Sequence, residues 1–224
     1  MKGYNMELEK NLKYTFKNIE LLNEALTHTS YANENNVNSN EKLEFFGDAI
    51  LEFVSSKYLY ANFPELSEGE LTKTRAAVVC EDSLYEVAKK LKVNEFIKVG
   101  HSELNNDGNN KPAILADSIE AIIAAIYFDG GLEEAEKFII ENLKGSIEEA
   151  SEHVGAKDYK TVLQEKLQEN GEVKIEYKII NEEGPAHDKV FTAQVLLNDK
   201  VLAEGKGKSK KLAEMDAARI ALGG

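Results

Sequence analysis

The chain has 224 residues, 42% of them hydrophobic, a formal net charge of −13 and one cysteine. That length suits one large domain or two small ones, with enough apolar residues for a core. A single cysteine excludes an internal disulfide or a cysteine metal cluster, and no apolar run is long enough to span a bilayer.

The start, "MKGYNMELEKNLKYTF", lacks the apolar centre of a signal peptide, so a cytoplasmic protein with no membrane partner is expected. Net charge alone argues against a polyanionic partner, but the charge is uneven. Residues 1–150 hold 15 Lys/Arg against 27 Asp/Glu, whereas residues 151–224 hold 12 against 13.

In chain order, "NIELLNEALTH" repeats apolar residues at helical spacing. "ANENNVNSN" reads as a loop. "NEKLEFFGDAIL" reads as a buried helix, with Leu43, Phe45, Phe46, Ala49, Ile50 and Leu51 covering most faces. "LSEGEL" places Ser67 three residues before Glu70, a capping box. Cys80, beside an apolar run, reads as a small buried hydrophobe. "EDSLYEVAKKLKV" is amphipathic, and "GHSELNNDGNNK" reads as a mobile surface loop. "AILADSIEAIIAAIYFDGG" is a strongly apolar helix closed by Gly130 and Gly131. "LEEAEKFIIENLKGSIEEA" is a further amphipathic helix, and "SEHVGAK" fits a linker.

Beyond the linker the pattern changes. "DYKTVLQEKLQENG" reads as a short helix ending at Gly171. Val173, Ile175, Tyr177 and Ile179 alternate at strand period. "KVFTAQVLLN" and "KVLAEGKGK" read as two more strands, and "SKKLAEMDAARIAL" as a closing helix. The expected architecture is multidomain: an all-α domain over 1–150, a linker at 151–157, and an α+β domain of order α-β-β-β-α over 158–224.

The apolar helices carry acids. At about 100° per residue, Glu41, Glu44 and Asp48 share an arc of roughly 60°. Asp117 and Glu120, three residues apart, share a face of the second apolar helix. No Lys or Arg occurs between Ala113 and Glu136, and Lys42 points away from Glu41 and Glu44. If the two helices face each other, four or five carboxylates converge. Each close pair would repel by ~4 kcal/mol at about 4 Å and an effective dielectric near 20. A packed core would not hold them without cations. Oxygen ligands without His or Cys suit Mg²⁺ or Mn²⁺ rather than Zn²⁺, and carboxylate-held Mg²⁺ suits phosphodiester hydrolysis.

"NEKLEFFGDAIL" closely resembles the signature of the ribonuclease III family, and "ILADSIEAIIAAIYFDGG" resembles its second acidic helix. "HTSYANE" and "ELTKTRAAVV" also fit, in the expected order, so the resemblance covers essentially the whole chain. It implies a helical endonuclease domain in which Glu44, Asp117 and Glu120 bind Mg²⁺, with Mn²⁺ able to substitute. Asp48 and Glu120 would be the most critical for hydrolysis, with Glu41 in support. Phe45 would plug into a partner subunit of a homodimer. Three positions depart from the family's common pattern: Phe46 for Leu, Lys42 for Arg, and "GHSE" at Gly100 to Glu103 for "GKGE".

Near the C-terminus, Lys206, Lys208, Lys210 and Lys211 form a basic cluster at a strand-to-helix junction, where Gly205 and Gly207 would let backbone approach a partner. Local basic density outweighs net charge for phosphate binding. "DYKTVLQEKLQ", "GPAHDKVFTAQV" and "GKGKSKKLAEMDAARIAL" together resemble a double-stranded RNA-binding domain. By that resemblance, Thr161, Gln164 and Glu165 would meet one minor groove and His187 another, with Lys208, Lys210 and Lys211 on phosphates. His28 reads as a packed or hydrogen-bonded helix histidine, and His101 and His153 have no partner pattern.

The sequence therefore predicts a Mg²⁺-dependent endoribonuclease that cuts double-stranded RNA into 5′-phosphate and 3′-hydroxyl ends. It would process ribosomal and other structured RNA precursors and need no protein cofactor. The alternative is a catalytically silent double-stranded RNA-binding protein, which loss of one acid would favour, but all five acids are present. A metal-independent histidine mechanism would leave the carboxylates unexplained.

Overall fold

The computed structural model describes residues 2–64, 66–168, 173–184, 189–207 and 209–223, the side chains of 2–5 and 152–158 excepted. Its contacts divide the chain into two compact units, Met1–Glu148 and Glu149–Gly224.

The first unit is helical. It comprises α1 (Lys2–Leu12), α2 (Ile19–Ala25), α3 (Thr29–Asn35), α4 (Glu41–Asn62), α5 (Glu68–Val78), α6 (Glu81–Lys90), α7 (His101–Leu104), α8 (Pro112–Gly130) and the first part of α9 (Leu132–Gln168). The centre is α8. Leu115, Ile119, Ile122, Ile123 and Ile126 are fully or almost fully buried, as expected of a helix apolar on nearly every side. It packs most extensively against α4, and also against α6 and α2. Pro112 opens it at a position where its missing N–H costs nothing. Gly131, at φ 92°, closes it. The Ser67–Glu70 capping box of α5 forms in both directions.

Several readings change at the local level. The Asn-rich loop is partly helical, because α3 runs to Asn35 before Asn36 turns left-handed at φ 53°. The surface loop expected near residue 100 contains regular structure: it holds α7 and a 3-10 turn at Gly108–Asn110. Cys80 is exposed rather than buried; it precedes the first turn of α6, whose apolar residues Leu84, Val87 and Ala88 face inward instead.

The bulky Phe46 is accommodated by aromatic packing, with ring centroids 5.3 Å from Tyr127 and 5.1 Å from Phe128. The helix α4 is not buried on most faces. Leu43, Gly47, Ile50 and Leu51 are buried, but Phe45 is 79% exposed and Phe53 55%. Helical periodicity turns these residues away from α8, over which α4 lies broadly.

The second unit contains the remainder of α9, strands β1 (Ile175–Glu183), β2 (Val190–Leu197) and β3 (Lys200–Gly207), and α10 (Lys210–Leu222). Helical backbone of α9 runs through residues 151–157. The sheet is antiparallel in the order β1-β2-β3. Its core joins Leu163, Val195, Ala217 and Ala218, with Tyr159, Leu167, Ile175 and Tyr177 packed around them. Gly205 and Gly207 serve this packing rather than a partner's approach: a Cβ at Gly205 would lie 2.0 Å from the Ala217 nitrogen, and one at Gly207 2.5 Å from the Leu212 Cβ.

Candidate functional site

The acids meet where α4 crosses α8. The crossing requires Gly47, whose absent Cβ would lie 1.8 Å from the Glu120 carbonyl oxygen. Backbone therefore touches backbone between Glu44 and Asp48, next to Asp48, on one helix and at Glu120 on the other. Gly47 stands in the quoted signature, but nothing in helical periodicity marks it as the contact point.

One carboxylate oxygen each from Glu44, Asp117 and Glu120 lies within 4.8 Å of the others, and all three residues are half-buried. Asp48 and Glu41 are exposed at the rim, where Glu41 accepts a 2.7 Å hydrogen bond from the Ser39 hydroxyl. The expected convergence of four or five acids is thus a core of three with two flanking. At about 1.5 Å per residue, Glu41 and Asp48 are separated by roughly 10 Å along α4, too far for one ion to gather both with Glu44.

The electrostatics are those of crowded carboxylates with no Lys or Arg paired to them among the described residues. Burial pushes Glu120 up to about 8, with Asp48, Asp117 and Glu44 adding to it. Burial also raises Glu44, helped by Asp117, Glu41 and Asp48. Every group named as acting on these two is a carboxylate. Asp117 is raised by burial, opposed by His28 and aided by Glu81. Among the described residues no Lys or Arg pairs with Glu44, Asp117 or Glu120, and half-buried carboxylates offering only hard oxygen fit a divalent metal of the Mg²⁺ or Ca²⁺ class.

Around this core, His28 caps α3 by accepting from the Ser30 amide, and Lys111 pairs with Glu103 at 2.5 Å. His101 does have a partner: its Nδ1 lies 2.7 Å from Glu34, which also accepts the His101 amide N–H. The signal for this pairing was absent because the two residues are 67 positions apart.

In the second unit, Thr161, Gln164 and Glu165 are exposed on α9 while Leu163 is buried. Lys210 and Lys211 are exposed in the first turn of α10. Lys210 reaches Glu182 at 3.5 Å and lies 5.9 Å from the centre of the Phe191 ring. His187 and Lys208 lie outside the described residues. Among the described residues, no helix is long and apolar enough to cross a membrane.

Comparison with known proteins agrees with both units. A "Ribonuclease-III-like" family model matches residues 18–147, and a "Double-stranded RNA binding motif" model matches residues 159–223. The protein called Ribonuclease 3 of Listeria innocua is 44% identical over 219 residues, 96% of this chain and 95% of its own. That of Carboxydothermus hydrogenoformans is 46% identical, over 97% of this chain and 94% of its own.

Among solved structures, the nuclease domain of Campylobacter jejuni ribonuclease III matches with a TM-score of 0.59 and 41% identity, covering 62% of this chain and 93% of that one. A second structure of that domain, with a TM-score of 0.57 and 42% identity over 62% of this chain and 97% of its own, is described as flexible in a region involved in dimer formation. Two adjoining family models and near-full-length relatives together make the chain a member of the ribonuclease III family of double-stranded-RNA endoribonucleases.

Proposed function

We propose that the α4–α8 acidic cluster is a Mg²⁺ site at which this protein hydrolyses phosphodiester bonds of double-stranded RNA, with Mn²⁺ able to substitute. The observation that carries this reading is the convergence of Glu44, Asp117 and Glu120, with no Lys or Arg paired to them among the described residues. These three would hold the ion, which when bound would grip a phosphate and lower the pKa of a water. Asp48, exposed at the rim, would orient water and take its proton, and Glu41 would play a supporting role, in the dimer or near substrate. The water oxygen bonds phosphorus, the P–O3′ bond breaks, and O3′ takes up a proton. The products carry 5′-phosphate and 3′-hydroxyl ends.

Residues 1–150 would form the nuclease domain and 158–224 the RNA-binding domain, joined at 151–157, close to the limits of the two family matches. Thr161, Gln164 and Glu165 would meet a minor groove and His187 a second one, with Lys208, Lys210 and Lys211 on phosphates. The working form would be a homodimer. Phe45, Ala49 and Phe53 make an exposed stripe along α4, and an apolar groove of about 480 Å³ between α4 and α5, lined by Phe53, Tyr60 and Leu71, could receive the partner subunit's Phe45. Its substrates would be ribosomal and other structured RNA precursors in the cytoplasm.

The test is cleavage of a long RNA duplex by wild type with Mg²⁺, by Asp48→Asn, and by wild type with EDTA. Cutting by metal-loaded wild type alone supports the reading. Duplex binding without cleavage by wild type would make this a silent RNA-binding protein.

A further inference from the structure

An asparagine in front of a helix ordinarily caps it, its side-chain oxygen accepting an N–H of the first turn. Asn40 stands in front of α4 and does not. Its backbone is already helical, at φ −75° and ψ −8°, and its side chain makes no capping bond. The residue is nevertheless only 2% exposed, and its side-chain nitrogen, Nδ2, is buried with no hydrogen-bond partner among the described residues. The main chain, by contrast, is fully used. The Asn40 N–H donates to the Thr27 carbonyl at 2.8 Å, and the Asn40 carbonyl accepts from the Glu44 N–H at 2.9 Å. A buried donor without an acceptor is costly, so its retention calls for a reason other than capping.

The bond to Glu44 locates the side chain. It is the i to i−4 bond of an α-helix, so Asn40 lies one turn below Glu44 on the same face of α4. Cβ atoms related in this way are about 5–6 Å apart, and a helical side chain covers the turn on the N-terminal side of its own Cα. Glu44 therefore reaches back over Asn40. Glu41 accepts a hydrogen bond from Ser39, but among the described residues the Glu44 carboxylate accepts none, and only other acids act on it. An unserved donor and an unserved acceptor thus share one helix face, a turn apart.

One oxygen each from Glu44, Asp117 and Glu120 meets in the cluster. A carboxylate has two, and ligating carboxylates are themselves held by hydrogen bonds. Resting on the metal-dependent reading above, we propose that Asn40 is a positioning residue for the metal centre: its side-chain NH₂ donates to the Glu44 oxygen that does not ligate, and so holds that carboxylate in its ligating orientation. Within the folded chain alone Nδ2 has no partner, so this bond adds to metal binding rather than to folding. Partners of this kind are worth about 10–100-fold in metal affinity.

The test is Asn40→Leu, which is close in size and lacks the donor. Since Nδ2 is unserved and the side chain does not cap α4, the melting temperature in EDTA should equal or exceed that of wild type. Half-saturating Mg²⁺ should nevertheless rise about tenfold, both in the Mg²⁺-induced rise of melting temperature and in duplex cleavage. Glu44→Gln should itself weaken Mg²⁺ binding, and Asn40→Leu added to it should weaken it no further, because Asn40 acts through the Glu44 carboxylate. In nitrogen-15 spectra of wild type, the Asn40 side-chain NH₂ signal, assigned by its absence from Asn40→Leu, should move when Mg²⁺ is added.

An Asn40→Leu protein with the wild-type Mg²⁺ requirement overturns the proposal. So does a variant that fails to fold or melts well below wild type in EDTA, since the side chain would then serve the fold. A tenfold loss that persists in the Glu44→Gln background overturns it too. A wild type whose melting ignores Mg²⁺ would fail the metal reading itself, a result distinct from a responsive wild type and an unaltered variant.

Discussion

Gly47→Ala offers a sharp test because its two effects have opposite signs. Within a helix, replacing Gly by Ala should stabilise by roughly 0.8–1.0 kcal/mol. At Gly47 the new methyl would meet the Glu120 carbonyl oxygen at 1.8 Å and the carbonyl carbon at 2.5 Å, where real contacts stay beyond about 3.0 Å. No rotamer relieves this, since both parties are main chain. The helices must part by about 1.2 Å at their crossing, loosening the contacts of Ile50, Leu51 and Ile119 around it.

Overpacking of this kind costs about 3 kcal/mol, leaving a net loss of about 2 kcal/mol after the helical gain. For a chain of this size that lowers the melting temperature by about 4–8 °C. The same displacement moves Glu44 and Asp48 away from Asp117 and Glu120, and a 1 Å misplacement costs about 100-fold in rate. Thermal melts and duplex cleavage below the transition would be measured beside Gly145→Ala, a helical position with nothing within 4 Å of the added Cβ. That control should be as stable as wild type or more so, and fully active. A Gly47→Ala protein that matched the control would refute the backbone contact and the account of the site built on it.

Other expectations follow from the charges and surfaces. The folded pKa of Glu120, about 8, exceeds the unfolded value of 4.5, so the folded state keeps a proton that the unfolded state releases between those values. The resulting stability is full below about 4.5 and lost as pH rises through 8; Glu44 and Asp117 are shifted in the same direction. In EDTA, wild type should lose more melting temperature than Glu120→Gln between pH 5 and pH 8, and parallel curves would contradict this. Mg²⁺ should raise the melting temperature of wild type at pH 8 but barely that of Asp117→Asn, as read by the same melts. Phe45→Asp should weaken self-association by at least about 30-fold, the equivalent of a 2 kcal/mol hot spot, in sedimentation equilibrium. Lys210→Ala combined with Lys211→Ala should reduce the slope of log affinity against log salt for duplex RNA by about 2.

Much was legible in the chain because local chemistry determined it. Periodicity marked α8 and the alternation of β1, the Ser67–Glu70 pair marked the start of α5, and the change from helical to strand period marked a second unit. The acids could be assigned to two helix faces by spacing alone, and their lack of nearby cations followed from composition. What spacing could not determine was which acids meet, because that depends on where α4 crosses α8. The crossing is set by the absence of one side chain, at Gly47, and it draws Glu44 to Asp117 and Glu120 while leaving Asp48 and Glu41 at the rim. The exposure of Phe45 is likewise a tertiary outcome: an apolar residue is buried only if some element covers its side of the helix. His28 is hydrogen-bonded to Ser30 and Lys98, and Ser30 in turn accepts from Gly100. Periodicity reports which face a residue occupies, but only the packed chain determines what that face meets.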